Sequence, residues 1–122
     1  MKLLKRLTMV TKPFSLNKST QNVGNHRSCT KGYRLWKREL GAEISAQLIP
    51  NLKVVAGKYQ IIIEVGRKAT KADIDNLIKP IVDVMVNLKV TPDDRNMEAV
   101  CIYRIEGKIS YIEIYGEDQG DG

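Results

Sequence analysis

The clearest periodicity in the chain lies at 31–49. Trp36, Leu40, Ile44 and Leu48 recur every fourth residue, with Tyr33 three positions before Trp36. That is the stripe of a helix lying on a core, and Pro50 stops it. Lys31, Arg34, Lys37 and Arg38 fall largely off the stripe and face outward. Gly41 costs such a helix roughly 1 kcal/mol. The run YQIIIEVG at 59–66 is rich in Ile and Val and predicts a buried strand. A second helix is predicted over 75–88, with Leu77, Ile78, Ile81, Met85 and Leu88 as its apolar face. Its Pro80 sits near the start, where a missing N–H does least damage. Weak alternation over 6–12 predicts a first strand. Strands at 98–105 and 109–115 flank Glu106-Gly107, a tight hairpin turn. Residues 13–30 have almost no apolar content and read as a long loop carrying Asn17, Lys18, Asn25, His26 and Arg27; loops of that length are usually functional or mobile. The sum is an α+β fold with element order β-α-β-α-β-β: a small mixed sheet of about four strands and two main helices. It forms one domain over 1–115, followed by a disordered, acidic, glycine-rich tail, 116–122.

Charge sharpens this picture. The first 38 residues hold ten Lys/Arg and no acid, while residues 39–122 hold the other ten basic residues and all fourteen acidic ones. The net charge of +6 hides that asymmetry, which fits phosphate contacts around an acidic pocket. Cys29 and Cys101 lie far apart without a CxxC or Cys/His spacing, which argues against zinc. They are expected to be free thiols of a reducing cytosol. No stretch has the length of a membrane span or a signal peptide, so a cytoplasmic protein is expected.

Chemistry concentrates in Lys71-Ala72-Asp73-Ile74-Asp75-Asn76-Leu77-Ile78-Lys79 and in Asp93-Asp94. Carboxylates held close repel one another unless a cation offsets the cost, and carboxylates with water are what a hard Mg²⁺ ion takes as ligands. In an extended Asp-x-Asp, Asp73 and Asp75 point to the same side. Lys79, four residues beyond Asp75, shares that face once the helix has begun. Asp93-Asp94 follow Pro92 at the end of the next loop, so one of them can return to the same pocket. Each piece also has an ordinary explanation: a helix cap, an i,i+4 ion pair, a turn. A cap needs one acid rather than two, and these explanations leave the basic arm without a purpose.

The run Asp73-Ile74-Asp75-Asn76, Lys79, Asp83, then Asp93-Asp94, resembles the RusA family of Holliday-junction resolvases, small endonucleases often encoded by phages and prophages. Pro13-Phe14-Ser15-Leu16-Asn17 is similar to the family's Pro-rich segment after the first strand, and Tyr33 to Leu40 to its first helix; the resemblance covers about residues 6–115. It implies that Asp73, Asp75 and Asp94 are the metal-binding catalytic acids and Lys79 the essential lysine. Asn76, Asp83 and Asp93 would support them. Ala72 departs from the Pro or basic residue that many members carry before the first acid. The implied cofactor is Mg²⁺, with Mn²⁺ as a substitute. The implied substrate is branched DNA, a four-way junction, cut by paired symmetric nicks in recombination and repair. Two nicks related by a dyad call for a homodimer.

Lys18, His26, Arg27, Lys31, Arg34, Lys37, Arg38, Arg67, Lys68 and Lys71 are the expected DNA contacts. His26, the only histidine, is read as a DNA contact rather than a general base. The alternatives are a branched-DNA binding protein without catalysis and a phage nuclease with less structural selectivity. An RNA-binding module would call for exposed aromatics, yet aromatics make up only 6% and several fall on apolar stripes.

Overall fold

The computed structural model describes residues 1–16, 20–23 and 26–117, and for 20–29 only the backbone of those described. Among the described residues, six strands and two α-helices follow one another: β1 (Lys2–Met9), β2 (Thr20–Val23), β3 (His26–Cys29), α1 (Lys31–Leu48), β4 (Tyr59–Gly66), α2 (Ile78–Asn87), β5 (Met97–Ile105) and β6 (Ser110–Gly116). Short 3-10 turns, Ile74–Leu77 and Asp94–Asn96, precede α2 and β5. The main sheet is mixed, in the order β1-β6-β4-β5, with β5 parallel to β4 and the other pairs antiparallel. The expected α+β fold, with a four-stranded mixed sheet and two main helices, is what forms.

One face of the sheet carries the core. Leu7 and Met9 of β1, Ile112 and Ile114 of β6, and Ile61, Ile63 and Val65 of β4 share that face by the period-two rule. They pack against Trp36, Leu40, Ile44 and Leu48 of α1 and Ile81, Val84 and Met85 of α2. Helix α1 begins where Thr30 Oγ1 accepts the Tyr33 N–H. It also covers the edge of the sheet at β1, whose unpaired backbone would otherwise template another strand. The Gln47 amide exchanges two hydrogen bonds with the Thr8 backbone, each 2.8 Å. The Glu43 carboxylate accepts from the N–H groups of Val10 and Thr11, and the Trp36 indole donates to the Lys12 carbonyl at 2.7 Å.

Three expectations need correction. The stretch 13–30 is not a plain loop, because β2 and β3 pair antiparallel within it. The first strand runs from Lys2 to Met9 rather than over 6–12, since β6 pairs with it from Gly116 onward. The segment around Glu106-Gly107 is not a hairpin turn: β5 and β6 lie on opposite sides of β4. The connection between them therefore crosses the end of β4, and Gly66 is what lets it pass. A Cβ there would stand 2.7 Å from the Gly107 carbonyl oxygen and 2.9 Å from that of Ile109. The tail expectation falls largely on 118–122, outside the described residues, while Gly116 closes β6.

Candidate active site

Strand β4 delivers the acidic segment. Beyond Gly66 the chain turns under the crossing connection: the Arg67 N–H donates to Ile105 O and the Lys68 N–H to Gly107 O. Arg104 of β5 then holds the next stretch, its guanidinium donating to the carbonyls of Thr70 and Ala72. Asp73 follows at once, extended (φ −60°, ψ 129°), at the head of the 3-10 turn. Its backbone carbonyl accepts the Asn76 N–H, but its side chain caps nothing, so the capping explanation does not hold for Asp73. Asp73 and Asp75 are both exposed, and no ion pair engages either among the described residues.

Asp73 and Asn76 line a cleft of about 670 Å³ together with Lys71, Lys12, Phe14 and Trp36. Phe14, Tyr33 and Trp36 form one aromatic group beneath it, with ring centroids 5.4–6.0 Å apart. The cleft thus sets a carboxylate between two exposed lysines at the base of the basic arm. Lys31 stands at the first position of α1, where the helix dipole disfavours a cation, so its place there does not serve the helix. Lys37 lies over the Tyr33 ring at 4.9 Å. Arg34, Arg38 and Lys68 are exposed. Arg67 pairs with Glu106 at 2.9 Å. His26 and Arg27 lie on β3 with side chains outside the description, and Lys18 lies outside the described residues.

The helical ion pair of this region joins Lys79 to Asp83, at 3.5 Å, rather than to Asp75. Asp93 caps the 3-10 turn before β5, accepting the Arg95 N–H at 3.0 Å. That bond first, and then the neighbouring Asp94 side chain, holds the Asp93 carboxyl below its ordinary range. Asp94 is exposed. The turn is tied down by Tyr59, whose buried hydroxyl donates to the Pro92 carbonyl at 3.1 Å. Arg104, near the C-terminal end of β5, holds the stretch before Asp73, whereas Asp93 and Asp94 lie before the N-terminal end of that strand, and neither Asp75 nor Asp94 lines the cleft of Asp73. Among the described residues, no three acidic, histidine or cysteine side chains stand close enough together to hold an ion.

Two residues emerge only here, Arg104 and Tyr59, which anchor the two acidic turns. Nothing in local sequence marks them, because both bonds span more than thirty residues. Cys101 is a free, exposed thiol on β5. No described helix is long and apolar enough to cross a membrane.

The family model of endodeoxyribonuclease RusA matches residues 11–115. The chain belongs to the RusA family. The match runs from the last residues before the cleft through β6, so both acidic turns, the basic face of α1 and the anchors Tyr59 and Arg104 lie within the RusA region. No curated protein matches the chain. Membership places it among endodeoxyribonucleases.

Proposed function

We propose that this RusA-family protein is a metal-dependent endodeoxyribonuclease that resolves four-way DNA junctions as a homodimer, by paired symmetric nicks. The observation that carries this reading is the exposed Asp73 carboxylate in a cleft flanked by Lys12 and Lys71, in a chain that RusA matches from 11 to 115. Asp73, Asp75 and Asp94 offer oxygen ligands only, and none is committed to an ion pair among the described residues, which is the donor chemistry of a hard divalent ion; they do not stand together in this structure, so binding would have to draw them in. These three would hold Mg²⁺, or Mn²⁺ in its place. Bound there, the ion supplies neutralisation of the scissile phosphate and a more acidic water.

The protein's own part is to position and to discharge. Lys79 is exposed, and its pair with Asp83 is of the surface kind that contributes little to stability. Its ammonium is therefore available to the phosphate, where it stabilises developing charge or protonates the leaving oxygen. Asp83 keeps it directed meanwhile. Lys71, Lys31, Arg34, Lys37 and Arg38 take the flanking phosphates, with Lys18, His26, Arg27, Arg67 and Lys68 at the margins. A four-way junction has approximate two-fold symmetry, so two copies of this site related by a dyad make the paired cuts. A cytoplasmic enzyme of a bacterial host, or of its phage, suits that substrate.

Substitution of the acids tests the assignment. Asp75→Asn and Asp94→Asn should fold, bind junctions and fail to cut them. Each should lose most of the rise in melting temperature that Mg²⁺ gives the wild type, because binding to the native state is what produces it. Wild-type cutting rates in both variants would show that the active site lies elsewhere.

A further inference from the structure

Helices α1 and α2 pack on one face of the main sheet, and the opposite face lies open, with Leu3, Cys101 and Tyr103 exposed on it. We propose that this open face is the surface through which two copies of the chain pair. The inference rests on the two-site reading above and adds to it the surface that joins the sites.

Its composition is that of a contact surface rather than a solvated one. The register lays Arg6, Glu113, Ile62 and Cys101 in one row across the four strands. Three tyrosines, Tyr103, Tyr111 and Tyr115, stand beside that row, each two positions along its strand and so on the same face. A solvated sheet face carries polar residues at its outward positions, and here those positions are largely aromatic or apolar. Lysine is missing as well. Strands β4, β5 and β6 contain none, and Lys2 and Lys5 of β1 pair with Gly116 and Ile114, positions of the core face. Tyrosine enriched and lysine depleted is the signature of a protein interface.

The charges on this face answer one another within the chain. The Arg6 guanidinium lies over the Tyr111 ring at 3.8 Å and reaches Glu64 at 3.6 Å and Glu113 at 3.7 Å. The Tyr103 hydroxyl is hydrogen-bonded to Glu64 and that of Tyr115 to Glu113. Both carboxylate side chains are thereby only 13% and 14% exposed. Polar groups that already have partners lose little when water leaves the surface. One positive charge against two negative ones offers a DNA backbone nothing to hold. The size suits a second copy. Four strands about 4.8 Å apart, each giving about seven residues at roughly 3.3 Å, span about 20 Å by 23 Å. Two such faces in contact, with the relief of their side chains, bury roughly 1,000 Å² or more, which is what a specific pair needs. The cleft of Asp73 and the basic side of α1 belong to the helical side of the sheet, so copies joined sheet to sheet leave both sites open to DNA.

The test uses the full chain, followed by sedimentation over a concentration series and by mapping the cysteine that a thiol reagent labels. Leu3→Arg and Tyr103→Arg place a charge at opposite edges of the face, at positions already 45% and 43% exposed. Each should keep its fold, raise the dimer dissociation constant by about tenfold or more, and turn paired cuts into single nicks. Leu35→Arg, at a similarly exposed position on α1, should leave the dimer as it is. Cys101 should label about tenfold more slowly in the wild-type dimer than in Leu3→Arg, since contact between the faces covers it. A wild-type dimer whose Cys101 labels as fast as in the monomer, or one that both face variants leave intact, would overturn this face and leave the two-site reading standing. A wild type that stays monomeric would overturn it outright. A dimer protected at Cys101 that cuts no DNA would sustain the face and remove the nuclease reading instead.

Discussion

Tyr59 connects stability to the site through one hydroxyl. Burial chiefly pushes its phenol above the ordinary value of 10.0, and the charges of Asp94 and Asp93 push the same way, against a smaller opposing effect of Thr91. A folded-state pKa raised above the unfolded one contributes stability that is complete below pH 10 and is lost as pH rises through the higher folded value. Thermal melts between pH 8 and 11 should show that alkaline fall. Tyr103 and Tyr115 are shifted in the same direction, so Tyr59→Phe should flatten the fall without abolishing it. At neutral pH the same substitution removes the bond to Pro92 O and should cost about 1 kcal/mol. If that bond holds Asp94 in place, the variant should also need more Mg²⁺ for half-maximal cutting; an unchanged requirement would make Tyr59 a purely structural anchor.

Among the elements, Gly41 of α1 and Gly66 of β4 should respond oppositely to an added methyl. Gly41 lies inside α1 and is buried, but a Cβ there would meet only the Leu88 methyl groups at 3.9 Å, an ordinary contact. Gly41→Ala should therefore stabilise the protein by about 1 kcal/mol, seen as a melting temperature a few degrees higher. Gly66→Ala drives a methyl into two backbone carbonyls and should cost about 2–3 kcal/mol. The contrast also shows what the chain's pattern made legible. The Trp36-Leu40-Ile44-Leu48 stripe and the Ile-rich run at 59–66 were readable because each element's burial has its own period. TQNV and HRSC carry no apolar alternation, so β2 and β3 were not. The path from β5 to β6 is not legible for another reason: a short Gly-containing link looks the same whether its strands pair with each other or flank a third. The spacing of Asp73, Asp75, Lys79 and Asp94 was equally plain, whereas Lys79 pairing with Asp83 depends on where the 3-10 turn gives way to α2.

Across the whole molecule, charge and symmetry make the measurable claims. The basic residues of the arm and α1 predict that junction affinity falls linearly with salt on logarithmic axes. Arg34→Ala combined with Arg38→Ala should flatten the slope by about 1–2 units, and an unchanged slope would remove these residues from the interface. The protein should sediment at about twice 13.8 kDa. Mixing it with Asp75→Asn subunits should give heterodimers that nick one strand of a junction and leave the other whole. Paired cutting by a species that sediments as a monomer would contradict the symmetry argument.

Strand β6 has its place in the middle of the sheet, between β1 and β4, though it follows every other strand in the sequence. During synthesis, then, β1 waits with no neighbour and β4 has only β5 until residues 110–116 leave the ribosome. The connection that fastens Arg67 and Lys68 also arrives late. A nascent chain that already carries Asp73, Asp75 and Asp94 thus lacks the frame to present them, and such long-range pairing is slow to form. Cutting activity should appear only in chains that include residues 110–116, so translation of chains ending before and after β6 should separate inactive from active protein.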